Sequence, residues 1–201
     1  MAFTIDEAWL PATLTVPPMS DAEFAGFCSE HPDLFFEMTA EGELIVMPPT
    51  FSLTGIRNQE IAGQFTSWAR RDGRGFAGDS SMGFVLPNGA RRSPDLSWTP
   101  KAAVRGLSAK EIESYWHVCP AFVIELRSQS DRPRVLREKM REWIDNGAQL
   151  AWMIDPENRI VEIYRPDREP EVQAGIDSIT AGEPVSGFVL DLRPVWDPLG
   201  H

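Results

Sequence analysis

Positive charge is scarce in this chain. Against 30 Asp and Glu stand only 19 Lys and Arg, a formal net charge of −11 over 201 residues. Broad adhesion to nucleic acid or to an anionic membrane draws on clustered cations, so any polyanion must meet a local basic patch. Three stretches offer one: Arg70, Arg71 and Arg74; Arg91 and Arg92 on a hairpin; and the run Arg132, Arg134, Arg137, Lys139 and Arg141. Most of these side chains are expected to be solvated charges balancing nearby acids. Long apolar runs are missing too, which excludes a bilayer-crossing helix. The N-terminal MAFTIDEAWL has no basic stretch followed by an apolar one and a small-residue cleavage site, so a soluble, cytoplasmic protein with no membrane attachment is expected. Only two cysteines occur, Cys28 and Cys119, in no C-x-x-C or Cys/His spacing, and they read as small apolar residues. The glycine-rich patterns G-x-G-x-x-G and G-x-x-x-x-G-K-[ST] are absent, which disfavours dinucleotide and nucleoside triphosphate binding, and so is G-x-S-x-G.

Apolar and aromatic residues are plentiful. A hydrophobic content of 42%, with seven Trp and eleven Phe, excludes a disordered chain, and the length suits one domain spanning residues 1–201. The Pro-rich pieces near 11–18 and 166–170 read as loops. Ser20, with Glu23 three residues on, has the capping-box pattern that opens a helix. FFEMTAEGELIVM alternates around Glu41-Gly42 and predicts a hairpin. A second helix over about 55–70 puts Ile61, Phe65 and Trp68 on one face, with Asn58, Glu60 and Gln64 on its polar flank. Asn88-Gly89 predicts another hairpin, whose second strand carries Pro94-Asp95. SAKEIESYW is helix-like, and Ala121 to Ile124 suits a strand covered on both faces. A helix over about 132–146 stacks Leu136, Met140, Trp143 and Ile144. QLAWMI and RIVEIY form a further hairpin, and GFVLDL the last strand. Helices among hairpins predict an α/β fold with a central mixed sheet flanked by helices, preceded by an N-terminal helix and β-hairpin.

Within AFVIELRSQSD, Glu125 and Arg127 point to the same strand face, since strand residues alternate sides. A buried charge survives only with a partner or a metal. The two can therefore be a structural pair at a strand end, or part of a site. Asp95, behind Pro94 in a separate strand, favours the second: one carboxylate strand followed by Glu-x-basic is a layout that holds a hard divalent cation beside a cationic helper.

Three ordered blocks, PNGARRSPDLSW, CPAFVIELRSQSD and KMREWIDNGAQLAWMIDPENRIVEIYRP, resemble the Uma family of restriction-endonuclease-like proteins, within the PD-(D/E)XK nuclease superfamily. The similarity runs from about Phe35 to Tyr164 and more weakly to GFVLDL. It implies a restriction-endonuclease-like core and Mg²⁺- or Mn²⁺-dependent hydrolysis of DNA phosphodiesters, commonly by a homodimer. By that resemblance Asp95 and Glu125 hold the metal and Glu60 is an accessory acid. Arg127 stands where the superfamily usually has Lys; arginine stays charged and cannot serve as a base, though it can stabilise transition-state charge. Lys139, at the edge of the helical stripe, resembles the migrated lysine of other members. Its truncation is expected to spare the fold, whereas removing Arg127 should strip Glu125 of a partner. Thr54 stands where many members have His, so His31, His117 and His201 are read as surface or terminal residues. Ser128 and Ser130 resemble an S-P-S turn and are read as capping the next helix. A catalytically inactive nucleic-acid or protein-binding module on the same fold, and a small-molecule hydrolase or phosphoesterase, are the alternatives.

Overall fold

The computed structural model describes residues 10–48 and 50–200; the N-terminal segment 1–9, Pro49 and the terminal His201 named above lie outside them. Strand β1 (Ala12–Thr15) leads into helix α1 (Asp21–Glu30), opened by the expected capping box between Ser20 and Glu23. The hairpin β2 (Phe35–Met38) and β3 (Glu43–Met47) follows, and Gly42 supplies the positive φ, 85°, that its turn requires. Helix α2 (Ser52–Asp72) buries Ile61, Phe65 and Trp68 as the spacing predicts. After β4 (Gly75–Asp79), the Asn88-Gly89 turn joins β5 (Phe84–Val85) to β6 (Arg91–Arg92). Then come β7 (Leu96–Pro100), the short helices α3 (Lys101–Val104) and α4 (Ala109–Ile112), and β8 (Phe122–Leu126). Helix α5 (Pro133–Asp145) connects β8 to β9 (Leu150–Asp155), which turns back into β10 (Ile160–Tyr164). The chain closes with β11 (Glu171–Ala174), β12 (Ser178–Thr180), β13 (Val189–Asp191) and α6 (Arg193–Trp196).

Two sheets dominate. One runs β1-β3-β2-β6-β5; the other runs β11-β10-β9-β8-β7-β4, with β12 and β13 paired separately. In the six-stranded sheet β8 and β9 are parallel and the other pairs antiparallel, so the sheet is mixed, as predicted. One of its faces carries Phe122, Ile124, Leu126 and Trp152 against Phe65 of α2 and Phe188. The other carries Val123, Ala151 and Met153 against Leu136, Met140 and Trp143 of α5. β8 is therefore covered on both sides, and Glu125 shares the face of Val123. Phe24 of α1 packs with Phe36, Met38, Leu44 and Val46 of the five-stranded sheet.

Two expectations are corrected here. Pro94-Asp95 is not in the strand after the Asn88-Gly89 turn: β6 ends at Arg92, and Ser93-Pro94-Asp95 carries the chain from one sheet to the other. Pro94 has no N–H to give a ladder, so the break falls where proline is tolerated. The 11–18 stretch, read as loop, holds β1 on the sheet edge, paired from Ala12↔Val46 to Thr15↔Glu43.

Candidate active site

The register of β7 on β8 places Leu96 opposite Ile124, so one step further Asp95 stands opposite Glu125. Asp95 is fixed at both oxygens: Oδ2 accepts from the Leu126 amide at 2.8 Å and Oδ1 from Asn58 Nδ2 of α2 at 3.0 Å. Glu125 is 4% exposed. Its Oε1 accepts from Trp143 Nε1 at 2.9 Å and lies 2.9 Å from Lys139 Nζ. Lys139 and Trp143 are four residues apart on α5 and so share the helical face turned to the sheet. No hydrogen bond falls on Glu125 Oε2 among the described residues.

The ammonium of Lys139 is shared. Its Nζ also donates to Glu37 Oε1 at 2.9 Å, and Glu37 Oε2 accepts from Arg92 Nη1 at 3.1 Å. Arg92 Nε reaches Glu142 Oε2 at 2.6 Å. Burial pushes the Glu125 carboxyl up to about 7; Lys139 pulls against this, while Asp95 and Glu37 add to it. Burial likewise raises Asp95, against the Leu126 amide, Lys139 and Asn58. At Glu37 burial acts in the same direction, but Lys139 and Arg92 outweigh it and hold the carboxyl below its usual range. Burial works to lower the Lys139 amine, yet Glu125 and Glu37 overcome it and raise it, so Lys139 stays charged.

Asp95, Glu125 and Lys139 thus meet, whereas Arg127 and Glu60 are turned elsewhere. Arg127 continues on the face of Glu125 but pairs through Nη1 with Asp155 Oδ2 at 2.9 Å and Glu157 Oε2 at 3.4 Å. Parallel pairing explains the choice: with Leu126 opposite Ile154, the next residue falls beside Asp155. Glu60 Oε1 accepts from Gln64, whose side chain also holds the Asp191 backbone, so this acid faces β13. Ser128 does not cap α5; its N–H and Oγ donate to Asp131 Oδ2, and Arg132 occupies the cap position without a side-chain bond. Arg91 and Arg92 are not a solvated patch: each is 8% exposed and ion-paired, Arg91 with Asp21 and Arg92 with Glu37 and Glu142. His117 is surface-exposed beside Asp21. Sequence reasoning missed Glu37, Arg92 and Asn58 as site residues, and took Trp143 for packing alone. Strict alternation would have set Glu37 on the exposed side with Phe35, whereas Phe36, Glu37 and Met38 are all buried, so no local signal marked it.

Asp95, Glu125, Lys139, Glu37, Arg92 and Glu142 line a groove of about 910 Å³ between the hairpin β2–β3, the turn after β8, and α5. Phe35 and Phe51, 46% and 62% exposed, stand on its walls. Among the described residues no three His, Cys, Asp or Glu side chains are grouped to hold a metal ion. A cation here would rest on Asp95 and Glu125 and take water for its remaining ligands. That donor set suits Mg²⁺, which binds through one or two carboxylates and keeps several waters. Burial is the first cause of the raised carboxyls of Asp95 and Glu125, and a cation between them would offset that cost of ionising them.

A restriction-endonuclease-like arrangement of sheet, helices and acidic groove is what this architecture defines. The Uma2 family, described as "Putative restriction endonuclease", matches residues 21–193, and the chain belongs to it. A solved structure described as a "putative nuclease belonging to DUF820" from Anabaena variabilis ATCC 29413 has the same fold: TM-score 0.72 at 18% identity, covering 89% of this chain and 98% of the other. Among curated proteins no relative matches. No helix among the described residues is long and apolar enough to cross a membrane.

Proposed function

We propose that this chain is a metal-dependent endonuclease that hydrolyses DNA phosphodiester bonds. The observation that carries the reading is the convergence of Asp95, Glu125 and Lys139 on one groove, one carboxylate directly ahead of β7, one on the neighbouring β8, and an ammonium from the helix between β8 and β9. Asp95 and Glu125 hold Mg²⁺ or Mn²⁺, which when bound supplies a Lewis acid and an acidified water. Asn58 and the Leu126 amide orient Asp95, and Trp143 orients Glu125. Lys139 keeps its proton, so its part is to stabilise negative charge on the phosphate rather than to take a proton from water. Arg127 lies with Asp155 and Glu157 and has a structural part in this reading. The working form is taken as a cytoplasmic homodimer; light scattering that gives a clean monomer would remove the dimer without touching the chemistry.

The test is a Mg²⁺ and Mn²⁺ titration with plasmid and single-stranded DNA. Wild type should cleave only with metal, and Asp95→Asn and Glu125→Gln should bind less metal and lose cleavage. Metal binding unchanged in both variants would overturn the assignment.

A further inference from the structure

Glu37 belongs to a different sheet from Asp95 and Glu125, yet it is 2% exposed and takes three donors: Lys139 Nζ at 2.9 Å, the Ser93 amide at 3.0 Å and Arg92 Nη1 at 3.1 Å. Arg92 is tied in turn to Glu142, three residues beyond Lys139 on α5. A clamp between sheet and helix would account for Arg92 and Glu142. It would not account for Lys139, which stands 2.9 Å from Glu37 and 2.9 Å from Glu125. A lysine ammonium is a compact charge on a flexible four-carbon stem. Given Glu125 as its one carboxylate, it would settle there and neutralise the group that a divalent cation needs. A second carboxylate on the other side, itself fixed by Arg92 and Ser93, draws the ammonium to a midpoint.

We infer that Glu37 is a positioning residue: it holds Lys139 Nζ between two carboxylates, so that the ammonium meets Glu125 at Oε1 and leaves Oε2 open to a cation. The five-stranded sheet then supplies part of the active site. The inference rests on the nuclease reading for the purpose of that placement, and the placement itself can be tested separately.

Mn²⁺ affinity is measured by calorimetry for wild type, Glu37→Gln, Lys139→Met and the double variant, each well below its melting temperature. Glu37→Gln should weaken Mn²⁺ binding by about tenfold, and by less than about twofold once Lys139 is Met, because an effect acting through Lys139 vanishes with it. An unchanged affinity in Glu37→Gln, or an equal loss in both backgrounds, overturns the inference; the second outcome would mean that Glu37 acts by charge or by folding. Should Glu37→Gln not fold, Glu37→Asp, which withdraws the carboxylate by one methylene, is read by the same cycle. If wild type binds no Mn²⁺, or Asp95→Asn binds it as well as wild type, the nuclease reading fails. The placement is then decided by acylating the protein with N-hydroxysuccinimide acetate and mapping Lys101, Lys110 and Lys139 by mass. Lys139 should react faster in Glu37→Gln than in wild type, with the other two unchanged, and an unchanged Lys139 rate overturns it.

Discussion

Lys139 is enclosed by opposite charge, its side chain 15% exposed between Glu37 and Glu125, which reverses one expectation. A lysine at the margin of a helical stripe should be dispensable to the fold; this one leaves two buried carboxylates behind if truncated. Breaking a buried pair costs about 3–5 kcal/mol, so Lys139→Ala should melt well below wild type as well as lose cleavage, with the deficit shrinking at acid pH as the carboxylates take up protons. Melting curves at acid and alkaline pH check this. Glu125 gives a second prediction. Its folded value is raised from the ordinary carboxylate range to about 7, so the protonated form favours the fold: that stability is present below the unfolded value and lost as pH rises toward 7. A cation binds the ionised form, so Mn²⁺ affinity should climb over the same interval with proton release, and Glu125→Gln should flatten the climb. Calorimetry in buffers of different ionisation enthalpy reads both. Glu125 was legible in the sequence because it is a charge set in an apolar strand, and Asp95 because it follows Pro94 directly ahead of another. Glu37 and Asn58 were not: Glu37 lies 102 positions from Lys139, and Asn58 lies 37 from Asp95, separations at which only the folded chain shows who meets whom.

Helix α5 is the element on which the site turns. Its inward face delivers Lys139 and Trp143 to the same carboxylate oxygen while Leu136 and Met140 anchor it to β8 and β9. Trp143→Phe keeps most of the packing and removes one donor. A hydrogen bond to a charged group is worth about 1.5–3 kcal/mol, so the variant should melt lower, and the pH at which Mn²⁺ binds should move upward because ionised Glu125 has lost support. Arg127 at the strand end supplies the contrast. Its bonds go to Asp155 and Glu157, so Arg127→Ala should lose about 1.5–3 kcal/mol of stability yet cleave at close to the wild-type rate below its melting temperature; a large fall in cleavage with metal binding intact would return Arg127 to the site. Elements with strong local signals were readable: the capping box of α1, the hairpins at Gly42 and Gly89, and the stripes of α2 and α5. Those that depend on a neighbour were not. β1 and β4 are edge strands, held by β3 and β7; β1 is four residues long behind Pro11, β4 carries little alternation of its own, and β12 is three residues long.

At the scale of the molecule, the two sheets meet at Ser93-Pro94-Asp95, where one step of chain takes leave of Arg92 and arrives at Asp95. That junction makes the groove, and it also uses up cations. Arg91, Arg92, Arg127 and Lys139 are turned inward onto acids, and Arg134 and Arg137 are paired with Glu138 and Glu162. Ion pairs thus draw several of the basic side chains away from phosphates, on a chain whose net charge is −11. Nucleic acid must then be held by a handful of backbone contacts near the groove, where Arg132 is the basic lining residue outside the buried network. Each neutralised phosphate contributes about −0.9 to the slope of log affinity against log salt on duplex DNA, so Glu125→Gln, used to block cleavage, should show a slope no steeper than about −3 to −4. Fluorescence anisotropy across a salt series measures it directly. A much steeper slope would require a large basic surface beside the groove, against a net charge of −11.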